Sequence, residues 1–256
     1  MQGMKSALVT GGARRIGKAI ALNLARQGWH VLLHYRGSAD AAASTQQTIE
    51  SEGGSAEILQ ADLGVDGAAE DLVQRALACE GELELVVNNA SSFEYDTALT
   101  VTAGGLARSL AVNATAPILI ARAFASGIAS ERQGSVVNIV DNRVLAPNPD
   151  YFSYGVAKMA LMGATQMLAL GLAPNVRVNA IAPGITLASG QQTADQFSAA
   201  HRINPLRRGA TPEDVARAVL FAHETTSMTG AVIVIDGGQF LANPGRDVAF
   251  IDSGPA

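Results

Sequence analysis

The chain has 256 residues, 48% of them hydrophobic and 16% charged, enough for one large α/β domain and too few for two full-sized enzymatic domains with separate cores. Its formal net charge of -5 excludes a non-specific nucleic-acid binder, which needs a basic surface to displace counterions. One cysteine, Cys79, excludes an internal disulfide and a multi-cysteine metal centre, and the four histidines lack HExxH-type spacing, so no metal site is expected.

Short β-branched runs alternate with longer helical patterns along the whole chain. Residues 7–9 form the first predicted strand. Thr10-Gly11-Gly12-Ala13-Arg14-Arg15-Ile16-Gly17 then turns into an apolar helix carrying Ile20, Leu22 and Leu24, which Gly28 closes. Residues 31–33 are the second strand, and 56–60 the third. Residues 85–87, 135–140, 177–180 and 232–235 are the fourth to seventh. The first, second, fourth, fifth and seventh have apolar residues running consecutively, which suits strands covered on both faces. The intervening patterns, about 12–20 residues each, have the crossover length that parallel strands require. Thr211-Pro212-Glu213-Asp214 opens a late helix, with a capping threonine, a proline at its first position and acids in its first turn. Gly237-Gly238 ends the last strand, and the residues from Asn243 onward read as a loosely held tail or an oligomer contact. The economical architecture is a single doubly wound (Rossmann) domain, a seven-stranded parallel sheet flanked by helices.

The N-terminal apolar stretch is too short for a signal peptide. The longest apolar tract, residues 159–173, is interrupted by Thr165 and Gln166 and falls short of a bilayer span. A soluble cytoplasmic protein without a membrane partner is expected.

The glycine turn between the first strand and first helix places backbone N–H groups and the helix dipole where a phosphate can bind; in isolation it could be a mere turn. A cation at a helix N-terminus is unfavourable unless an anion is near, so Arg14 and Arg15 point to phosphate or substrate rather than to solvent. The second strand ends His34-Tyr35-Arg36-Gly37-Ser38, with no acid before Asp40. An acid there would hold an adenine-ribose diol, whereas Arg36 and Ser38 can donate to a 2′-phosphate, so NADPH is expected over NADH. Asp62, after the third strand, suits either an adenine contact or a helix cap. Tyr154 and Lys158 stand four apart, on one face of a helix. An ammonium beside a phenol favours phenolate, lowering its pKa from about 10 and tuning it for proton transfer.

These motifs resemble the short-chain dehydrogenase/reductase family over almost the whole chain, from Ser6 to about Leu241. The family's TGxxxGxG turn has Arg15 in place of its middle glycine, as in the TGxxxRxG variant of the pteridine reductases. The HYxxS run and Asn-Asn-Ala-Ser-Ser-Phe (residues 88–93) recur in the same subgroup. The resemblance implies that NADP(H) contacts Gly11, Arg14, Arg15, Ile16, Gly17, His34, Tyr35, Arg36, Ser38, Asp62 and Leu63. It further implies contacts from Asn89, Ala90, Ser91, Tyr154, Lys158 and the Pro183-Gly184-Ile185-Thr186 loop. It assigns Asn113, Tyr154 and Lys158 to catalysis, Asn113 holding a water near the lysine. Thirteen residues ahead of the tyrosine the family has serine, and this chain has Asp141, as the pteridine reductases do. Asp141 is expected either to work with Tyr154 as a proton donor or to anchor an amino-substituted ring; a strand-terminating turn is the alternative. Arg15, Ser91, Phe93, Asp141 and Tyr154 form the implied substrate set, Phe93 stacking on the ring or serving as a core or lid residue. Residues 187–208 are expected to form a substrate flap.

The expected activity is NADPH-dependent reduction of a dihydropterin- or dihydrofolate-like substrate. Reduction of a ketone, quinone or imine is the alternative, and a non-catalytic NADPH-binding regulator the third reading. A homo-oligomer, tetramer or dimer, is implied by resemblance.

Overall fold

The computed structural model describes residues 3–188, 193–242 and 245–246. Seven parallel strands, β1 (Lys5–Val9), β2 (His30–Tyr35), β3 (Ser55–Gln60), β4 (Glu82–Asn88), β5 (Gly134–Ile139), β6 (Val176–Pro183) and β7 (Val232–Ile235), lie in the order β3-β2-β1-β4-β5-β6-β7. The order reverses between β1 and β4, which opens a crevice at the carboxyl ends of those strands.

The period-2 geometry of a strand divides each run between two faces. Ala7, Val9, Val31, Leu33 and Val87 pack with α1 (Arg15–Arg26) and α8 (Pro212–Glu224) through Ile20, Leu24, Val215 and Val219. Leu8, Leu32, Val86, Val136 and Val178 face the other way, with Leu72 and Val73 of α3 (Ala68–Ala78) and Ile120 and Phe124 of α5 (Ala116–Gly127). Continuous apolar strands are therefore buried on both faces, as predicted. β7 differs: all four of its residues are only half-buried. It stands at the sheet edge and, among the described residues, pairs with β6 alone despite its apolar sequence.

The helix limits follow local chemistry. Gly28, at φ +81°, takes the left-handed conformation just past α1. Thr211 and Asp214 form the capping box of α8, with Pro212 at the first helical position. At the other end of α8, Arg177 of β6 donates to the Ala222, Thr225 and Met228 carbonyls.

The segment Ala103–Gly127 has the length and apolarity of a bilayer span, with mean hydropathy 1.3. Here Ile120, Ala121 and Phe124 are completely buried against the sheet, so it is a core helix. It is not uniform: α4 (Ala103–Leu110) joins α5 through one wide turn, Ala111–Thr115, where the Ala116 amide donates to the Ala111 carbonyl five residues back. Pro117 follows and has no N–H to offer the Asn113 carbonyl, so a regular α-helical ladder is broken at this point in any case.

Candidate active site

A cleft of about 570 Å3 opens at the carboxyl ends of the strands. Of the residues singled out from sequence, Gly11, Arg14, Arg15, Ile16, Gly17, Asn89, Ala90, Ser91, Phe93, Asp141, Tyr154, Lys158, Pro183, Gly184 and Ile185 line it together. His34, Tyr35, Arg36, Ser38, Asp62, Leu63 and Asn113 do not.

One end is made largely of backbone. Gly11 (φ +64°) needs the left-handed region, and a Cβ on Gly17 would lie 2.1 Å from the Gly11 carbonyl oxygen. Thr10 Oγ1 accepts from the Asn89 and Ala90 amides, and Asn89 Nδ2 donates to the Thr10 and Gly11 carbonyls, tying the β1 turn to the β4 turn. Arg15 also has a positive φ, +54°, so the backbone keeps the conformation a glycine would favour. An L-residue there costs about 1–2 kcal/mol, and such strain concentrates at functional sites. Arg15 Nη1 donates to the Ala188 carbonyl across the cleft, joining the turn to the segment after β6.

His34 departs from the expected contact role. It is buried, its Nδ1 accepts from the Gly11 amide at 3.1 Å, and its Nε2 lies 3.1 Å from the Ala61 carbonyl, which makes it the Nε2–H tautomer. The ring is a brace between the β1 and β3 turns, and burial pushes its pKa down to about 4. Asp62 caps no helix: its Oδ1 accepts from the Gly64 amide, while Gly67 occupies the N-cap of α3. Tyr35, Arg36 and Ser38 gather at the end of β2. There Arg36 is exposed, and Ser38, at the N-cap of α2 (Ala39–Ser51), makes no capping bond with its side chain.

The other end is made of side chains. Tyr154 and Lys158 lie in α6 (Phe152–Gly171), one turn apart and facing the cleft. The Tyr154 hydroxyl donates to Asp141 Oδ2 at 3.0 Å. Lys158 Nζ donates to the Ile139 carbonyl at 2.8 Å and stands 5.6 Å from the Tyr154 ring centre. Burial pushes the Lys158 ammonium down to about 8, partly offset by attraction to Asp141. Asp141 Oδ1 accepts from the backbone amide and from Nε of Arg143, at 3.0 and 3.1 Å, so it caps the short turn Asn142–Val144 as well as holding the phenol. Asp141 thus both opens the turn that follows β5 and places its carboxylate in the cleft.

Asn113 is fully buried in the wide turn between α4 and α5. Its Oδ1 accepts from Ser91 Oγ and the Ser92 amide, and its Nδ2 donates to the Ser92 and Ser109 carbonyls. Its side chain thus pins the Ser91-Ser92 lip of the cleft. Phe93, 45% exposed, stacks on Tyr151 with ring centres 4.0 Å apart and meets Tyr154 edge-on at 4.7 Å. In the 187–208 segment, α7 (Ala194–Ala200) begins at a Thr193–Gln196 capping box; residues 189–192 of this predicted flap lie outside the described residues. So does the predicted tail from Asn243 onward, apart from Gly245 and Arg246.

Sequence reasoning missed Arg143, Asp150 and Arg246. Arg143 Nη1 donates to the Asp150 carbonyl, and Arg246 forms a two-point ion pair with the buried Asp150 carboxylate at 2.9 and 3.0 Å. No local spacing could signal this, because Asp150 and Arg246 are 96 residues apart. Asp96 was missed for the same reason: its carboxylate accepts from the Ser153 amide and hydroxyl, latching the Phe93 loop to the first turn of α6.

A family model described as enoyl-(acyl carrier protein) reductase matches residues 11–239. This chain belongs to the short-chain dehydrogenase/reductase family. Among solved structures, FolM alternative dihydrofolate reductase 1 from Brucella suis, in complex with NADP, is 41% identical with a TM-score of 0.89, over 94% of this chain and 97% of that one. The Brucella canis FolM, also complexed with NADP, is 39% identical with a TM-score of 0.86, over 93% and 94% of the two chains. An uncharacterized oxidoreductase of Mycobacterium tuberculosis, MT0954, is 35% identical over 93% of each chain.

The short-chain reductase described here is NADPH-dependent, and its own residues fit that cofactor. The first turn of α1 has no acid and no side-chain cap, with Arg14 and Arg15 beside it, an arrangement suited to a pyrophosphate. Arg36 and the uncapped Ser38 lie beyond, where a 2′-phosphate needs donors. Lys158, Tyr154 and the Pro183–Ile185 stretch close the opposite end, where a nicotinamide would lie.

Proposed function

We propose that this reductase acts on a pteridine-type ring, dihydropterin- or dihydrofolate-like, with Tyr154 as the proton donor. The observation that carries the reading is the Asp141 carboxylate in the cleft, hydrogen-bonded to the Tyr154 hydroxyl at 3.0 Å. A carboxylate offers about four acceptor positions. The Arg143 amide, Arg143 Nε and the Tyr154 hydroxyl take three of them. The fourth is left for a donor in the cleft, such as a ring N–H or an exocyclic amine, which a plain ketone does not carry.

NADPH, when bound, supplies a hydride to carbon. Tyr154 holds its proton at the hydroxyl oxygen and passes it to the adjacent ring nitrogen, completing the addition of a hydride and a proton across one double bond. Lys158 keeps positive charge behind the phenol. Phe93 supports the ring from the lip that Asn113 fixes. The relatives named FolM alternative dihydrofolate reductase favour the same substrate class. A cytoplasmic location and assembly as a dimer or tetramer belong to this reading through family likeness alone.

NADPH oxidation followed with dihydrobiopterin, dihydromonapterin and dihydrofolate tests the assignment. Turnover of at least one is expected, and none with any would remove it. Reduction of a ketone, quinone or imine is the second reading, since Tyr154 and Lys158 serve that chemistry equally. Asp141→Ser separates the two: on the pteridine reading, kcat/KM for the pterin falls about 10- to 100-fold with loss of a charge-assisted bond. Improved ketone reduction in that variant, with no pterin activity in the parent, would favour the second.

A further inference from the structure

Beyond the residues the motifs supply, the cleft contains a ladder of charge leading away from the phenol. Asp141 accepts from Arg143, the Arg143 fork reaches the Asp150 carbonyl, and the Asp150 carboxylate is clamped by Arg246. The Arg143 side chain is only 7% exposed, and that of Asp150 2%. Burying the Arg143 and Asp150 charges is costly unless each is neutralised at short range, and the half-buried Asp141 and Arg246 do this, so the four residues are linked. The Arg143 guanidinium also lies 5.0 Å from the centre of the Tyr154 ring, closer than the Lys158 ammonium at 5.6 Å. Among the described residues, the phenol therefore has two cations beside it.

We propose that Arg143 is a positioning residue for the reduction, holding Asp141 Oδ1 so that Oδ2 faces the Tyr154 hydroxyl while sharing with Lys158 the charge that steadies the phenol, and that Arg246 keeps Arg143 in place through Asp150. The geometry behind this is a planar fork satisfying two fixed acceptors at once, Asp141 Oδ1 and the Asp150 carbonyl, which a lysine cannot do. Asn148 Oδ1 accepts from the Asp150 amide, so the carbonyl that receives Arg143 belongs to a laced loop, which Arg246 ties to the far end of the chain. That loop leads directly into Tyr151, at φ +54°, and then into α6 with Tyr154. Among the described residues, the charged and titratable groups facing the phenol are Asp141 from the end of β5, Arg143 from the following turn and Lys158 from α6, with Tyr151 beside Arg143 and the Asp150–Arg246 pair behind them. The inference deepens the pteridine reading but concerns the phenol itself, so it can be tested without turnover.

The measurement is the near-ultraviolet absorbance of tyrosinate against pH in the NADP-bound protein. The Tyr154 component is the difference between each protein and its Tyr154→Phe counterpart. In Arg143→Met the Tyr154 step should move to higher pH by about one unit or more, since a cation within 4–6 Å is lost and Asp141 is left less neutralised. Arg143→Gln, which keeps polarity and drops charge, should move it the same way and serves if the methionine variant does not fold. Arg143→Lys should hold the step nearer the parent's, and Arg246→Met should shift it upward by less than Arg143→Met. A folded neutral variant at residue 143 whose Tyr154 step coincides with the parent's overturns the proposal, and a coincident step in Arg246→Met removes Arg246 and Asp150 from it. Absence of pterin turnover, by contrast, would end the substrate reading and leave these results standing.

Discussion

The two ends of the cleft are built by opposite means. At the nucleotide end the parts that matter are mostly main chain: Gly11 and Gly17 exclude side-chain atoms, Thr10 and Asn89 stitch two turns together, and His34 braces a third. At the phenol end the functional geometry is carried by side chains, Asp141, Arg143, Tyr154, Lys158, Asp150 and Arg246, with the Ile139 and Asp150 carbonyls as fixed acceptors. A backbone cradle serves a ligand shared by many reductases, whereas a side-chain network can be retuned one substitution at a time.

The contrast breaks most sharply at Tyr154. Tyr154→Phe should lower kcat about 1,000-fold with the NADPH dissociation constant nearly unchanged, as steady-state kinetics and fluorescence titration would report. Equal losses in both quantities would mean the two ends are not separable. Gly17→Ala should do the reverse. Its Cβ would meet the Gly11 carbonyl at 2.1 Å and Asn89 Nδ2 at 2.6 Å, so NADPH affinity should fall about 100-fold, with about 1–3 kcal/mol of stability lost in denaturant. Arg36→Glu sharpens the cofactor side further: the preference for NADPH over NADH should fall about 10- to 100-fold, the worth of one charge-assisted contact.

The smallest effects are in pH, and they separate the ends by sign. His34 has a folded-state pKa of about 4 against an ordinary 6.5, so its unfolded form binds the proton first. Its contribution to stability is complete above pH 6.5 and is lost as the pH falls toward 4, about 2 kcal/mol by pH 5, visible as a lower denaturation midpoint. Lys158, pushed down to about 8, fails in the other direction, so kcat should decline above that pH with the fold intact. A kcat indifferent to pH between 7 and 9 would show that its charge is not needed.

The same contrast explains how much could be read beforehand. The doubly wound sheet was legible because buried parallel strands carry consecutive apolar residues, and the nucleotide turn because glycine is demanded at fixed offsets. Tyr154 and Lys158 were legible through helical spacing, and Asp141 through its distance from Tyr154. β7 misled because an apolar strand at a sheet edge looks in sequence like one in the middle. His34 lies at the expected end of β2 but works from beneath the nucleotide turn, a difference that depends on which way one ring points. Arg143 and Arg246 left no periodic trace, since their partners are set by tertiary packing.

The wide turn at Ala111–Thr115 has an engineering consequence. Each residue of an α-helix advances the azimuth by about 100°, so an extra residue re-phases everything downstream once. The segment before it and the segment after it can thereby meet different neighbours from a single rod, with Asn113 at the seam where both are locked to the Ser91-Ser92 lip. Excising one residue from this seam would remove that phase shift and leave either the outer half or the inner half facing the wrong way, making helical phase itself a variable that sets the shape of the binding mouth.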